Sequence, residues 1–126
     1  MYPEKDRLES LLQDAISEME LLAQMSEGIK KPEDFVSNLS GITVFRACGM
    51  SLQYITEIFV KIRNLKGKEF FAPYTSIPWN AVFGMRNFLS HEYGNIDSEA
   101  VFDTVKNSIP LLMSVTRQIL SNVRST

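Results

Sequence analysis

One apolar stripe near the middle of the chain restricts the fold more than any other feature of the sequence. Its residues alternate steps of three and four without a break: Phe45, Cys48, Leu52, Ile55, Phe59 and Ile62. That spacing keeps the side chains on one side of an α-helix and is typical of a helix that packs along another. It predicts a long helix from about Ser40 to Asn64. Gly41 and Gly49 lie inside it and each weaken it by about 1 kcal/mol relative to Ala.

A first helix is predicted before this one and a short helix between them. The first helix begins at Pro3 and ends near Gly28, and one apolar stripe runs along it: Leu8, Leu11, Leu12, Ala15, Ile16, Met19, Leu22 and Ala23. Pro32 starts a short helix that carries Phe35 and Leu39 inward, since proline suits the first turn of a helix.

Two further helices are predicted after it. A helix that starts at Pro78 ends in a turn at Gly94-Asn95. Asp97 caps the last helix, which Pro110 should kink. No strand pattern is present. The predicted fold class is therefore all-α, an antiparallel bundle of four main helices plus one short helix.

Composition restricts the function as well as the fold. The 126 residues suit a single domain that spans residues 1–126. A formal net charge of -2 argues against broad charge-driven binding of nucleic acid. The basic run from Lys61 to Lys68 is either a solvated helix end or a rim that attracts phosphate. One Cys and one His are too few for a zinc site, and Cys48 is predicted to be a small buried hydrophobe.

The chain lacks the apolar segments that direct proteins to membranes. Neither a signal-peptide core nor a run of about 18 apolar residues occurs in the sequence. A cytoplasmic location without a membrane partner is expected.

The polar end of the third helix is the candidate site. Asn87 and His91 are four residues apart and share a helix face. Arg86 and His91 are five apart, about 140° round an ideal helix, so they do not touch side by side. They can still converge if Arg86 reaches round, if the helix ends near His91, or on a ligand held between two copies of the helix.

The residue types of this cluster suit chemistry on phosphate. Histidine moves protons near neutral pH, and arginine offers a planar fork of donors to phosphate oxygens. Together they suit cleavage of RNA through its 2′-hydroxyl without a metal. One chain has one His, so a base and an acid that are both His need two chains. This predicts a homodimer with its cleft on the symmetry axis.

Spacing alone leaves structural alternatives open for each of these residues. A histidine near a helix C-terminus is also favoured there as a capping cation, which accounts for His91 without chemistry. Asn87 can be a polar cap or a network partner. Tyr93 can be an aromatic side chain that covers the helix end.

The order Arg86-Asn87-x-x-x-His91-x-Tyr93 resembles the R-x-x-x-x-H-x-Y signature of HEPN-domain proteins, specifically the HepT-like toxins. The resemblance runs from the first helix to Leu120. Further landmarks that resemble the family are Ile77-Pro78-Trp79, Gly84-Met85-Arg86-Asn87, Ile96-Asp97, Val101, Val105 and Ile109-Pro110.

This resemblance implies a dimeric HEPN fold that cuts RNA in an interfacial cleft without a metal or other cofactor. By the same resemblance, Arg86 binds the scissile phosphate, His91 transfers protons and Asn87 orients His91. It also implies a toxin-antitoxin pair, in which a cognate minimal nucleotidyltransferase antitoxin adds AMP to Tyr93 and so blocks RNA.

The second helix departs from the family pattern. The family usually carries Gly-Glu-Ala near the middle of this helix, and here the residues are Thr56-Glu57-Ile58. Glu57 remains and is predicted to pair with Arg86 in the cleft. The alternative function is a non-catalytic subunit that presents a substrate or nucleotide to a nucleotidyltransferase.

Overall fold

The computed structural model describes residues 3–91 and 97–126, and for residues 86–91 the description is of the helical backbone. Three long helices come first: α1 (Glu4–Met25), α2 (Leu39–Lys66) and α3 (Trp79–His91). The last helical stretch consists of α4 (Ser98–Asp103), a π-helical turn (Thr104–Ser108) and α5 (Ile109–Arg124). Two short 3-10 turns connect the long helices, Pro32–Phe35 and Lys68–Phe71. The described residues contain no β-strand, and the predicted all-α class is confirmed.

The centre of the bundle is the pairing of α1 with α2, and α5 also packs against α1. The predicted stripe of α2 lies in the core, where five of its six residues are buried: Cys48, Leu52, Ile55, Phe59 and Ile62. Complete burial of a Leu, Ile or Phe side chain contributes roughly 1.5–3 kcal/mol each. Between the two helices, Ser51 Oγ donates a hydrogen bond of 2.7 Å to the Glu18 carboxylate.

The burial of Cys48 agrees with its predicted role. Its side chain is 0% exposed. Burial raises the pKa of the Cys48 thiol to about 11, and the nearby positive charge of Lys106 opposes the rise. Because a thiol reacts as its thiolate, Cys48 behaves as a small core residue at neutral pH.

The start of α2 lies against the first 3-10 turn. Asn38 caps the helix, since its Oδ1 accepts a hydrogen bond of 2.8 Å from the Gly41 N–H. Phe35 is buried and packs on Phe45, with ring centroids 5.0 Å apart. The prediction that Leu39 also points inward is wrong. Leu39 is 79% exposed, because it begins α2 rather than continuing the short helix.

Aromatic packing holds α3 on α2. Phe71 is buried in the connection between them, and its ring lies 4.4 Å from that of Trp79, centroid to centroid. Phe59 of α2 lies 5.8 Å from the Trp79 ring. Trp79 Nε1 donates a hydrogen bond of 2.9 Å to the Tyr74 carbonyl oxygen. The start of α3 is therefore held from two directions.

The last helical stretch begins at the predicted cap, while the predicted kink at Pro110 stays a prediction. The Asp97 side chain accepts a hydrogen bond of 2.9 Å from the Glu99 N–H, which confirms the predicted cap. Pro110 has no N–H to give the Lys106 carbonyl, and the π-helical turn ends at Ser108, two residues before it. In that turn, Lys106 Nζ donates a hydrogen bond of 2.7 Å to the Ser26 carbonyl oxygen at the end of α1.

The hydropathy of the helices bears on membrane insertion. Within residues 3–91 and 97–126, no helix combines the length and apolar character that crossing a bilayer requires.

Candidate active site on helix α3

The structure places the predicted catalytic positions on one regular helix. Arg86, Asn87 and His91 all belong to α3, which is α-helical from Trp79 to His91. Positions 86 and 91 are therefore about 140° apart round the helix axis. Tyr93 and the predicted Gly94-Asn95 turn lie outside the described residues. Within one copy, the backbone register thus keeps Arg86 and His91 on different sides of α3.

Helix α2 packs against α3. The Phe59 ring of α2 lies 5.8 Å from the Trp79 ring, and the Arg63 guanidinium of α2 lies over the Phe83 ring. Glu57 is a partly buried residue of α2 that precedes Phe59. Its predicted pairing with Arg86 involves a side chain outside the described set and stays a prediction.

An apolar groove lies between α3 and the last helical stretch. Its volume is about 450 Å³, and its walls come from Ala81, Val82 and Met85 on one side and Thr104, Ile109 and Leu112 on the other. Leu111 at its edge is 46% exposed although it is apolar. An open apolar surface beside a candidate site is typical of a contact with another protein.

A second, aromatic groove lies at the other side of α3. It has a volume of about 310 Å³ and is lined by Lys68, Phe71, Thr75, Trp79, Asn80 and Phe83. Above it, the guanidinium carbon of Arg63 lies 4.7 Å from the centre of the Phe83 ring. Sequence reasoning did not connect Asn80 and Phe83 with positions 87 and 91. Steps of three and four residues separate these four positions, and this spacing could have shown that they fall along one side of a helix.

In the described part of the chain, no three His, Cys, Asp or Glu side chains come together as metal ligands would. The ion pairs among the described side chains are Lys66 with Glu4 at 3.4 Å and Arg117 with Glu20 at 3.6 Å. Both are exposed and contribute little to stability.

Comparison with known proteins identifies the family to which this chain belongs. The family described as Ribonuclease HepT-like matches residues 12–119, so the chain belongs to the HepT-like ribonuclease family. It is 33% identical over 109 residues to a protein named "Putative RNase TTE0752" from Caldanaerobacter subterraneus subsp. tengcongensis, an alignment that covers 86% of this chain and 90% of the relative. No solved structure matches the chain. The resemblance inferred from the motif is thereby confirmed.

Proposed function

We propose that this protein is a metal-independent endoribonuclease and the toxin of a toxin-antitoxin pair. The observation that carries the proposal is the Arg-x-x-x-x-His spacing, Arg86 to His91, within α3 of a HepT-like ribonuclease family member. The residue types supply a phosphate-binding cation and a proton-transfer group without a metal.

The proposed reaction uses the 2′-hydroxyl of the RNA as nucleophile. One imidazole removes the 2′ proton as the 2′ oxygen attacks the adjacent phosphorus. The bond from phosphorus to the 5′ oxygen breaks, and a second imidazole protonates that leaving oxygen. The products are a 2′,3′-cyclic phosphate and a 5′-hydroxyl. Arg86 stabilises the charge that develops on the phosphoryl oxygens, Asn87 orients His91, and Glu57 orients Arg86.

A homodimer completes this site. Each chain has one His, and the two proton-transfer roles require two. The register of α3 keeps positions 86 and 91 on different sides of one helix, so a cleft between two copies brings them to one substrate. The apolar groove beside α3, with Leu111 exposed at its edge, supports an interface in this region.

Regulation by a partner enzyme completes the proposal. Tyr93 lies two residues beyond His91, so a group attached to it stands close to the cleft. A cognate minimal nucleotidyltransferase antitoxin transfers AMP from ATP to the Tyr93 hydroxyl in the cytoplasm, and pyrophosphate leaves as the new phosphodiester bond forms. The added phosphodiester is anionic and repels the RNA backbone, since like charges at short range disfavour binding.

Induction of the gene alone tests the ribonuclease function. We expect growth arrest and cleaved total RNA from the wild-type protein and from Arg117→Ala, and neither effect from Arg86→Ala. Arg117 is an exposed arginine on α5, so it controls for the loss of one positive charge. Intact RNA and normal growth with well-expressed, folded wild-type protein would contradict the proposal and favour the non-catalytic partner subunit.

The Tyr93→Phe variant tests the modification. The ring remains and the acceptor oxygen is lost, so we expect a folded ribonuclease that a cognate nucleotidyltransferase no longer modifies. Intact-mass spectrometry after incubation with ATP and the partner enzyme measures the AMP. Equal addition of AMP to wild type and Tyr93→Phe would show that another residue is the acceptor.

A further inference from the structure

We propose that the aromatic groove at the start of α3 binds one nucleotide of single-stranded RNA that flanks the cleaved phosphate. This proposal rests on the proposed ribonuclease function and adds a substrate subsite to it. The groove is the space of about 310 Å³ lined by Lys68, Phe71, Thr75, Trp79, Asn80 and Phe83. That volume lies at the lower end of the range for small-ligand sites, so it suits a single nucleotide rather than a duplex.

The aromatic wall of the groove is held rigidly before any ligand arrives. Trp79 is partly exposed, and its ring lies 4.4 Å from the Phe71 ring and 6.3 Å from the Phe83 ring. The Trp79 and Phe83 planes are within 29° of each other. The hydrogen bond from Trp79 Nε1 to Tyr74 fixes the indole. A fixed, partly open aromatic surface stacks on any base, which is how proteins hold single-stranded nucleic acid.

Two cations stand beside this wall. The Arg63 guanidinium covers one face of Phe83 at 4.7 Å, and Lys68 is an exposed member of the lining. Among the described side chains, neither lies within 4.0 Å of a carboxylate, whereas Lys66 pairs with Glu4. On a chain of net charge -2, Lys68 in the lining and Arg63 over Phe83 supply positive charge that favours a phosphate group beside the groove.

Helix geometry connects the groove with the proposed cleavage site. Positions 80, 83, 87 and 91 of α3 follow one another at steps of three or four, so they fall along one side of the helix. Phe83 precedes Asn87 by about 6 Å and His91 by about 12 Å, at about 1.5 Å per residue. The Asn80 amide, at the same side, offers a donor and an acceptor to a base edge. One RNA strand can therefore reach both places.

Titration with a short 2′-O-methyl RNA, which cannot be cleaved through its 2′ position, tests the subsite. Trp79 is the single Trp, so its fluorescence reports on the groove, while the anisotropy of the same RNA carrying a dye reports on all binding. We expect Trp79 quenching to saturate together with the anisotropy. Phe83→Leu should weaken binding about 5- to 150-fold through the loss of stacking.

A matched pair of charge variants separates the subsite from general electrostatics. The plot of log affinity against log salt has a negative slope. Lys68→Gln should make this slope less steep by about 0.7, the value for one phosphate contact on a single strand. Lys30→Gln, an exposed lysine beside the first 3-10 turn, should leave the slope unchanged. Anisotropy without Trp79 quenching, and equal slopes for the two variants, would overturn the subsite and leave the ribonuclease proposal standing. If the 2′-O-methyl RNA does not bind and no RNA is cleaved, both the subsite and the ribonuclease proposal are overturned.

Discussion

His91→Ala is expected to lower the rate of RNA cleavage by about 10²–10⁴-fold, the range for loss of a general acid or base. The purified variant should remain folded, because the substitution keeps α3 a good helix. The measurement is single-turnover cleavage of a labelled single-stranded RNA with EDTA present. The wild-type rate should change with pH across the neutral range, as expected when a histidine carries the proton, and the residual rate of the variant should not.

Mixed dimers extend this test to the number of histidines in the cleft. If each cleft needs His91 from both subunits, activity falls with the square of the wild-type fraction when wild-type and His91→Ala chains are mixed at constant total protein. If one His is sufficient, the mixed dimers are active as well, and activity stays well above the square of the wild-type fraction. An unchanged cleavage rate in pure His91→Ala would exclude His91 from catalysis altogether.

Gly41→Ala is expected to lower the free energy of unfolding by about 1–3 kcal/mol, the usual cost of forcing an extra methyl group into a packed site. A Cβ at position 41 would clash with the Asp34 carbonyl oxygen, and the Phe35 carbonyl carbon lies only 3.4 Å from the same point. Both neighbours are backbone atoms of the 3-10 turn Pro32–Phe35. The Asp34 carboxylate also accepts hydrogen bonds of 2.8 and 3.2 Å from the Lys30 and Lys31 N–H groups. A shift of this turn away from position 41 would strain these hydrogen bonds and so cost free energy.

Gly49→Ala is the matched control in the same helix. A Cβ at position 49 meets no atom within 4 Å, so the substitution should raise the free energy of unfolding by up to about 1 kcal/mol through helix propensity alone. Urea denaturation followed by circular dichroism measures both variants. Equal effects of the two substitutions would show that the contact at Gly41 costs nothing.

Much of the architecture could be predicted from local patterns. The stripe from Cys48 to Ile62 predicted a buried helix face, and Asp97 predicted the cap of the last helix; both are confirmed. The family, too, was identified from the motif on α3 and is confirmed. The prediction for Leu39 failed because one turn of apolar spacing does not show where a short helix stops and the next begins.

The candidate site was predicted less completely. The sequence pointed to Arg86, Asn87, His91 and Tyr93, and their roles remain predictions. It left the basic run from Lys61 to Lys68 as two alternatives. The structure separates the members of that run, since Arg63 stacks on Phe83 while Lys66 pairs with Glu4. The basic residues at this helix end do not reveal their partners in the sequence, because Phe83 and Glu4 are distant from them in the chain.

The sequence by itself determined the long helices of the bundle, the approximate bounds of the first two, the faces they bury and the motif that α3 carries. These features depend on residues within one or two turns of each other, and hydrophobic periodicity records them directly. Only the tertiary structure decided that Gly41 rather than Gly49 is the point of close approach, and that Lys68, Trp79 and Phe83 line one groove. Those facts depend on how the helices pack, and packing brings together atoms whose separation in the chain leaves no periodic signal.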